Sequence, residues 1–302
     1  MLNKIIYTIF GIGLALVFFP HAAKDSVKKP SVSGISVQAK SQEFKSAPEM
    51  ALNLPPPPLT VKAALAYDLD SGTILYSNNL DEKLPIASLT KLMTALTVVK
   101  NQNLEATITV AHDAQGVVGS TIGLVAGEQV RASDLVHALL ISSSNDAAVA
   151  LADFIGGSQE KFADMMNQQA ASLGLVETHF SNPVGWDSYD SQDNYSNALD
   201  LIKIVQEFLK NDELRQIVKI KALTITSADG KYSHELHTTN KLLLDDPEVE
   251  GIKTGFTSKA LGNLIILVNH ADRRIVTVVL GSNNREQDSR NLIDWVLSVY
   301  RW

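Results

Sequence analysis

Short apolar runs lie near both ends of a long central stretch, within which apolar residues recur at helical spacing. Short apolar runs bounded by turn residues are typical of strands. The pattern predicts strands over Ala63 to Asp68, Thr73 to Tyr76, Ile252 to Phe256, Leu264 to Asn269 and Arg274 to Leu280. The first two are joined by Asp70-Ser71-Gly72, which favours a hairpin turn.

The helical spacing predicts helices between these strands and one after them. They cover Ser88 to Lys100, Leu135 to Phe154 with a polar break at Ser142 to Asp146, Gln159 to Leu173, Ala198 to Leu209 and Glu286 to Tyr300. Strands at both ends with helices between them indicate an α/β (α+β) fold. We expect one antiparallel sheet flanked by helices, with an all-helical lobe inserted between its strands. The cleft between sheet and lobe is the expected position of a site.

The N-terminal region differs from the rest of the chain. Lys4 precedes an apolar run from Ile5 to Pro20, which favours an export signal, and residues 1–23 are therefore predicted to be a signal peptide or a membrane anchor. Small residues at Ala22 and Ala23 do not complete an A-x-A cleavage site, so both readings stay open. Either reading predicts an exported protein, periplasmic or extracytoplasmic; under the anchor reading, residues 5–20 attach it to the membrane.

Residues 24–58 are rich in Ser, Lys and Pro, and they end in the proline run Pro55 to Pro58. Such a composition buries little apolar surface, and consecutive prolines favour an extended polyproline II spacer. We therefore expect a disordered linker over 24–58 and a catalytic domain over 59–302.

Overall composition excludes several classes of site. The formal net charge is −7 and there are no cysteines, which disfavours nucleic-acid binding and rules out disulfides, thiolate metal sites and a cysteine nucleophile. The sequence His234-Glu235-Leu236-His237 lacks the H-E-x-x-H spacing of a zinc helix and suits a strand or loop better. We expect no metal and no cofactor.

Three short motifs carry residues suited to acyl transfer. Ser88 and Lys91 are three apart at a predicted helix start, where an amine with a lowered pKa could take the serine proton. Ser143 and Asn145 lie between two helical runs; a second hydroxyl there could relay a proton, and an amide could bind a substrate carbonyl or the lysine.

The third motif, Lys253-Thr254-Gly255, falls on a predicted strand. A lysine beside a hydroxyl can hold a carboxylate, and a glycine leaves room for substrate along the strand edge. The N–H groups of Phe256 and Ser88 could then form an oxyanion hole.

Together and in this order, the motifs resemble S-x-x-K, S-D-N and K-T-G of penicillin-binding proteins and class A β-lactamases, with Ser143-Ser144-Asn145 in the second place. From Ala63 to Trp302 the chain resembles the low-molecular-mass penicillin-binding proteins of the D-alanyl-D-alanine carboxypeptidase type. The stretches that carry the resemblance are ALAYDLDSGTILYSNN, LPIASLTKLMTAL, LLISSSNDAAVALAD, NPVG and GIKTGFT. The resemblance implies a β-lactamase/transpeptidase-like fold.

The resemblance also implies a role for each matching residue. Ser88 would form the acyl-enzyme with Lys91 as its base, and Ser143 would shuttle the proton. Asn145 would orient the substrate, while Lys253 and Thr254 would hold its carboxylate. The implied substrate is a peptidoglycan stem peptide, and β-lactams would be covalent inhibitors.

Alternatives stay open on the same residues: a D-Ala-diaminopimelate endopeptidase, a β-lactamase, or a non-catalytic cell-wall-binding module. No E-x-x-L-N motif lies between Asp146 and Gly251, which disfavours a class A β-lactamase, and a binding module need not keep Ser88 and Lys91. Where the family usually has Ala-Gly after the third motif, this chain has Ala260-Leu261-Gly262, which puts that strand edge in question. Since the sequence ends within the closing helix, we expect neither the C-terminal β-domain nor the amphipathic anchor of many relatives.

Overall fold

The computed structural model describes residues 45–187 and 193–302. The predicted signal or anchor segment and residues 24–44 of the predicted linker lie outside the described residues. Within the described ranges, no helix is both long enough and apolar enough to cross a bilayer.

An antiparallel sheet of five strands joins the two ends of the domain, as predicted. Its strands, in spatial order, are β10 (Val249–Thr257), β11 (Leu261–His270), β12 (Arg273–Ser282), β2 (Ala63–Asp68) and β3 (Thr73–Asn78). The junction lies between β12 and β2, where Val279 pairs with Ala64. Because β10 is an edge strand, its outer side is free to face the helical lobe.

Both faces of this sheet are covered, which explains its apolar strands. In β2, Ala63 and Leu65 point to one hydrophobic core, and Ala64 and Ala66 point to the other. Helix α8 (Arg285–Val299) packs on the second face. Helix α5 (Ala198–Phe208) packs on the first. Period-two side-chain alternation therefore places successive residues from Ala63 to Ala66 against opposite helix layers.

The helical lobe forms between β3 and the last three strands. Its helices are α1 (Lys91–Asn101), α2 (Ala132–Ile141), α3 (Asn145–Gly156) and α4 (Gln159–Ser172), followed by α5 and the short α6 (Asp212–Ile217) and α7 (Lys241–Asp245). The predicted polar break separates α2 from α3. There Ser144 accepts a hydrogen bond from the Ala147 N–H and caps α3, so the break is a helix end rather than a distortion.

Several short strand pairs were not predicted. They are β4 (Leu84–Pro85) with β7 (Tyr195–Ser196), β5 (Thr107–Thr109) with β6 (Gln129–Arg131), β8 (Ala222–Thr226) with β9 (Ser233–His237), and β1 (Glu49–Met50) with β13 (Tyr300–Arg301). These strands bury few residues and so carry little hydrophobic pattern. The β8–β9 hairpin places His234 and His237 on a strand, as the sequence indicated.

The part of the predicted linker that the structure describes lies against the domain. Strand β1 pairs with β13, the Trp295 indole N–H donates to the Pro55 carbonyl over 2.8 Å, and Arg273 donates to the Ser46 carbonyl over 3.1 Å. The folded part therefore begins before Leu59, and the predicted boundary is corrected. This polar segment cannot form a core of its own, and hydrogen bonds to its backbone hold it on the surface of the folded domain.

Candidate active site

All three motifs meet in one cleft between the edge strand β10 and the helical lobe. The cleft has a volume of about 560 Å³. Its lining includes Ser88 from the first motif, Ser143 and Asn145 from the second, and Thr254, Gly255 and Phe256 from the third. Residues more than 150 positions apart in sequence are thus brought within reach of one ligand.

Ser88 and Lys91 lie on one side of a tight turn. Ser88 falls in a 3₁₀ helix, Ala87–Thr90, that leads directly into α1. Since a 3₁₀ helix has three residues per turn, positions three apart eclipse each other. The Nζ atom of Lys91 is accordingly 2.9 Å from the Oγ atom of Ser88.

The Lys91 nitrogen has two further oxygen partners. It donates to the side-chain carbonyl oxygen of Asn145 over 2.7 Å and to the backbone carbonyl oxygen of Val184 over 2.9 Å. The amide oxygen and nitrogen of Asn145 cannot exchange places without losing a hydrogen bond, because the nitrogen donates to the Val118 carbonyl over 2.7 Å. The oxygens of Asn145 and Val184 therefore act only as acceptors towards Lys91.

Burial and a neighbouring cation favour the neutral form of Lys91. The residue is fully buried, and desolvation lowers the pKa of its amine well below the usual value. The positive charge of Lys253 lowers that pKa further, while the Asp146 carboxylate opposes the shift. Burial, followed by the charge of Arg285, lowers the pKa of Lys253 itself to about 7.

A neutral amine in this position has one productive arrangement of hydrogens. Its two N–H groups are taken by the oxygens of Asn145 and Val184, which leaves its lone pair directed at the Ser88 hydroxyl. The arrangement can withdraw a proton from Ser88 and so activate it as a nucleophile.

Ser143 reaches the cleft because of its backbone conformation. It lies between α2 and α3 with a φ of 57°, in the left-handed region that few residues other than glycine adopt. Hydrogen bonds on both sides of Ser143 hold this bend. Ser142 accepts a hydrogen bond from the His237 N–H over 2.9 Å, and the Asn145 N–H donates to the Ser120 carbonyl over 2.7 Å.

Gly255 allows β10 to pass close to the turn that carries Ser88. A Cβ atom at Gly255 would lie 3.0 Å from the Ser88 nitrogen and 3.1 Å from the Ile86 carbonyl oxygen. The missing side chain therefore leaves room for the Ser88 turn and not, as the sequence pattern predicts, for substrate. The next residue, Phe256, lines the cleft with 65% of its surface exposed.

Two cations, Lys253 and Arg285, lie near the third motif in different positions. Lys253 is buried, does not line the cleft, and donates to the Thr254 carbonyl over 3.0 Å. Arg285, at the start of α8, does line the cleft and donates to the Gly255 carbonyl over 2.7 Å. The cation placed to touch a ligand is therefore Arg285, which sequence reasoning missed because no motif surrounds it.

Sequence reasoning also gave no role to the Asn182-Pro183-Val184-Gly185 turn, although the motif was noticed. The Asn182 side chain accepts hydrogen bonds from the N–H groups of Val184 and Gly185, and this directs the Val184 carbonyl at Lys91. A Cβ atom at Gly185 would lie 1.9 Å from the Ala87 carbonyl oxygen. The turn is thus a close-packed part of the site.

The unusual Leu261 leaves the pairing of β10 with β11 intact. Phe256 pairs with Gly262 and Thr257 with Leu261, so the hairpin continues past the third motif in register. Leu261 itself has a φ of 58°, which a glycine would adopt more easily. The departure from the family pattern is therefore absorbed by backbone strain at one residue.

A second groove is larger but chemically different. It has a volume of about 740 Å³ and is lined by Tyr67, Ile202 and the ion pairs Lys83–Glu177 and Lys203–Asp200. Its lining in the described chain includes no serine, threonine or histidine. Volume alone would select this groove, whereas the paired nucleophile and amine select the smaller cleft.

The described chain, residues 45–187 and 193–302, holds no group of three or more His, Asp or Glu side chains arranged to bind a metal ion. His234 points inward from β9 and contacts Glu128, while the exposed side chain of His237 lies 3.6 Å from Glu235. The two histidines thus belong to separate contacts on one strand.

Comparison with known proteins agrees with this geometry. A profile of the S11 peptidase family, described as D-alanyl-D-alanine carboxypeptidase, matches residues 50–284. The D-alanyl-D-alanine carboxypeptidase DacF of Bacillus subtilis is 32% identical over 248 residues, which are 79% of this chain and 62% of that relative. This chain spans about three fifths of the length of the carboxypeptidases that it matches.

Two further similarities concern chains covered more completely. The D-alanyl-D-alanine endopeptidase of Haemophilus influenzae is 30% identical over 244 residues, which are 80% of this chain and 81% of that relative. The crystal structure of the DD-transpeptidase of Streptomyces K15 superposes with a TM-score of 0.75 at 29% identity, covering 82% of this chain and 100% of that one. The fold is thus of the β-lactamase/transpeptidase type, and the chain belongs to the S11 peptidase family of D-alanyl-D-alanine carboxypeptidases.

Proposed function

We propose that this protein is a serine D-alanyl-D-alanine carboxypeptidase that trims peptidoglycan stem peptides through a Ser88 acyl-enzyme. The observation that carries the proposal is the buried Lys91 amine, whose two acceptor partners leave its lone pair for Ser88. A buried lysine with only a structural role would carry a charge and would be paired with a carboxylate.

In the first half-reaction, the Ser88 oxygen attacks the carbonyl carbon between the two terminal D-alanines while Lys91 accepts its proton. The negative oxygen of the tetrahedral intermediate would be stabilised by the N–H groups of Ser88 and Phe256. Close packing of Gly255 against the Ser88 turn supports this pairing.

The leaving D-alanine needs a proton on its amine. Ser143 lines the same cleft as Ser88 and would pass that proton from Lys91 to the leaving group. Water would then hydrolyse the acyl-enzyme with Lys91 again acting as the base. Each carrier returns to its starting state at the end of the cycle.

The carboxylate of the terminal D-alanine would lie against the Thr254 hydroxyl and the Arg285 guanidinium, which both line the cleft. The Thr254 hydroxyl also contacts the hydroxyl of Thr239, which fixes its direction. Lys253 would add positive potential from beneath the cleft floor rather than direct contact.

Cleavage of cross-links is the second candidate function. Its supporting observation is the similarity to the endopeptidase of Haemophilus influenzae, over most of both chains. In a direct cross-link to diaminopimelate, a carboxylate also lies beside the scissile D-Ala amide, so Thr254 and Arg285 could bind either substrate.

β-Lactams carry a carboxylate and a reactive amide, and we propose that they acylate Ser88 as covalent inhibitors. A β-lactamase would release them quickly, and a non-catalytic cell-wall-binding module would not react at all. Because peptidoglycan lies outside the cytoplasmic membrane, we also propose an extracytoplasmic location. The apolar run over residues 5–20 would serve as signal or anchor.

Two experiments test these proposals. Incubation with a fluorescent penicillin should give a stable covalent adduct; rapid turnover would indicate a β-lactamase, and no labelling would contradict the proposal. Digestion of purified muropeptides, followed by mass spectrometry, should show loss of one D-alanine from pentapeptides. Conversion of cross-linked dimers to monomers instead would establish the endopeptidase.

A further inference from the structure

An irregular segment, residues 118–124, is held through its backbone, and its first three residues line the cleft. The carbonyl oxygen of Val118 accepts from the Asn145 side chain, and that of Ser120 accepts from the Asn145 backbone N–H, both over 2.7 Å. The carbonyl oxygen two residues further along, that of Ile122, is 2.9 Å from Nδ1 of His234. The segment thus connects His234 to Asn145, which contacts Lys91.

His234 has a second buried partner. Its Nε2 atom is 2.8 Å from the Glu128 carboxylate, and the side chains of both residues are buried. The other carboxylate oxygen of Glu128 accepts from the Val125 N–H over 3.1 Å. This pair of side chains therefore holds the chain at Ile122, within the segment, and at Val125, directly after it.

The position of one hydrogen follows from these partners. The Ile122 carbonyl can only accept, so a hydrogen bond there requires a proton on Nδ1 of His234. On the other side, either Nε2 or the Glu128 carboxyl can carry the shared proton. In both cases Nδ1–H donates to Ile122.

The backbone N–H groups of the segment are held as well. The Asp146 carboxylate accepts from the N–H groups of Ile122, Gly123 and Leu124 over 3.0 to 3.1 Å. Space around Asn145 is also tight: a Cβ atom at Gly119 would lie 2.7 Å from its amide nitrogen. Movement of the segment would therefore displace Asn145.

We propose that His234 is a positioning residue for the Ser88–Lys91 centre. Through Nδ1–H it holds the Ile122 carbonyl, which fixes segment 118–124 and through it the Asn145 amide that orients Lys91. The inference rests on the proposed acyl-enzyme chemistry of this cleft. It predicts that the hydrogen bond to Ile122, not the contact with Glu128, supports acylation.

Two substitutions separate the two contacts of His234. The amide nitrogen of an asparagine takes nearly the place of Nδ1, whereas that of a glutamine takes nearly the place of Nε2. Both are made with Glu128→Gln, so that no unpaired charge is left buried. The comparison is thus Glu128→Gln alone, Glu128→Gln with His234→Asn, and Glu128→Gln with His234→Gln. His237→Asn, at an exposed side chain on the same strand, is the control.

The measurement is the second-order rate of acylation by a fluorescent penicillin, using the full chain. We expect Glu128→Gln, its combination with His234→Asn, and His237→Asn to stay within about threefold of the unsubstituted protein. The combination with His234→Gln should be slower by about 10- to 100-fold, as expected when a reacting group is misplaced by about an ångström. Equal rates in the two combinations would overturn the proposal.

Hydrogen–deuterium exchange of the amides of residues 122–124 provides a readout independent of activity. Exchange should be faster in the His234→Gln combination than in the His234→Asn combination, and equal exchange would again overturn the proposal. If the unsubstituted protein is not acylated, the proposed function fails, and this exchange comparison still decides the role of His234.

Discussion

The Nζ atom of Lys91 lies 2.9 Å from the Oγ atom of Ser88, and its other contacts leave the amine lone pair for that hydroxyl. Ser88→Ala should therefore abolish both peptide hydrolysis and penicillin labelling, since loss of an activated nucleophile can cost up to roughly a millionfold. Lys91→Ala should be nearly as severe. Both are measured as acylation rates with a fluorescent penicillin.

The effects of the two substitutions should not add, because in the proposed mechanism Ser88 and Lys91 act as one unit. A double variant much slower than Ser88→Ala alone would show that the residues act separately. Lys100→Ala, at an exposed position in the last turn of α1 and outside the cleft lining, provides a control for damage to the helix.

Lys253→Gln should move the acidic limb of the acylation profile to higher pH. Lys91 must be neutral to act as a base, and the charge of Lys253 helps to lower its pKa. Without that charge the pKa of Lys91 rises, so its neutral form appears only at higher pH. The pKa of Lys253 is about 7, and the effect should therefore be largest below that pH, where Lys253 is charged.

The measurement is the rate of penicillin acylation between pH 5 and pH 10 in both proteins. Profiles that differ in height but not in position would leave Lys253 without this electrostatic role. Lys210→Gln, at an exposed lysine paired with Glu207, is the matched control and should leave the profile unchanged.

Gly185→Ala should reduce acylation and stability together. The new Cβ atom would lie 1.9 Å from the Ala87 carbonyl oxygen, so the turn that presents the Val184 carbonyl to Lys91 must move. Gly230→Ala is the matched control, because Gly230 also has a positive φ but no atom within 4 Å of the added Cβ. It should cost only about 1–2 kcal/mol of backbone strain and leave acylation unchanged.

These two variants are compared by denaturant unfolding and by penicillin acylation. If Gly185→Ala loses no more stability than Gly230→Ala and keeps full acylation, then the packing of the turn has no part in presenting the Val184 carbonyl.

Removal of residues 1–58 should weaken the fold without stopping catalysis. The truncated chain loses the β1–β13 pairing and the hydrogen bond from Trp295 to Pro55, but no cleft residue. We expect about 1–3 kcal/mol lower free energy of unfolding, at about 1 kcal/mol per hydrogen bond. A chain starting at residue 45 is the control and should be the more stable of the two; equal stability would argue that residues 45–58 contribute nothing.

The sequence by itself determined the order and type of the main elements. Strands β2, β10, β11 and β12 and helices α1 to α5 could be predicted because hydrophobic periodicity follows directly from the faces that each element buries. It also singled out the three motifs, because serine, lysine and asparagine at these spacings are unusual in combination. It could not predict β8 and β9, whose mostly exposed residues carry little hydrophobic pattern.

Only the tertiary structure decided how the motifs act. A backbone carbonyl has no signature in sequence, so the contact of Val184 with Lys91 could not be foreseen. Burial decided that Lys253 lies behind the cleft lining while Arg285 faces the cleft, since the exposure of a lysine depends on distant elements that cover it. Sequence spacing fixes which side chains share a helix turn, but contacts across the cleft depend on packing among segments far apart in the chain.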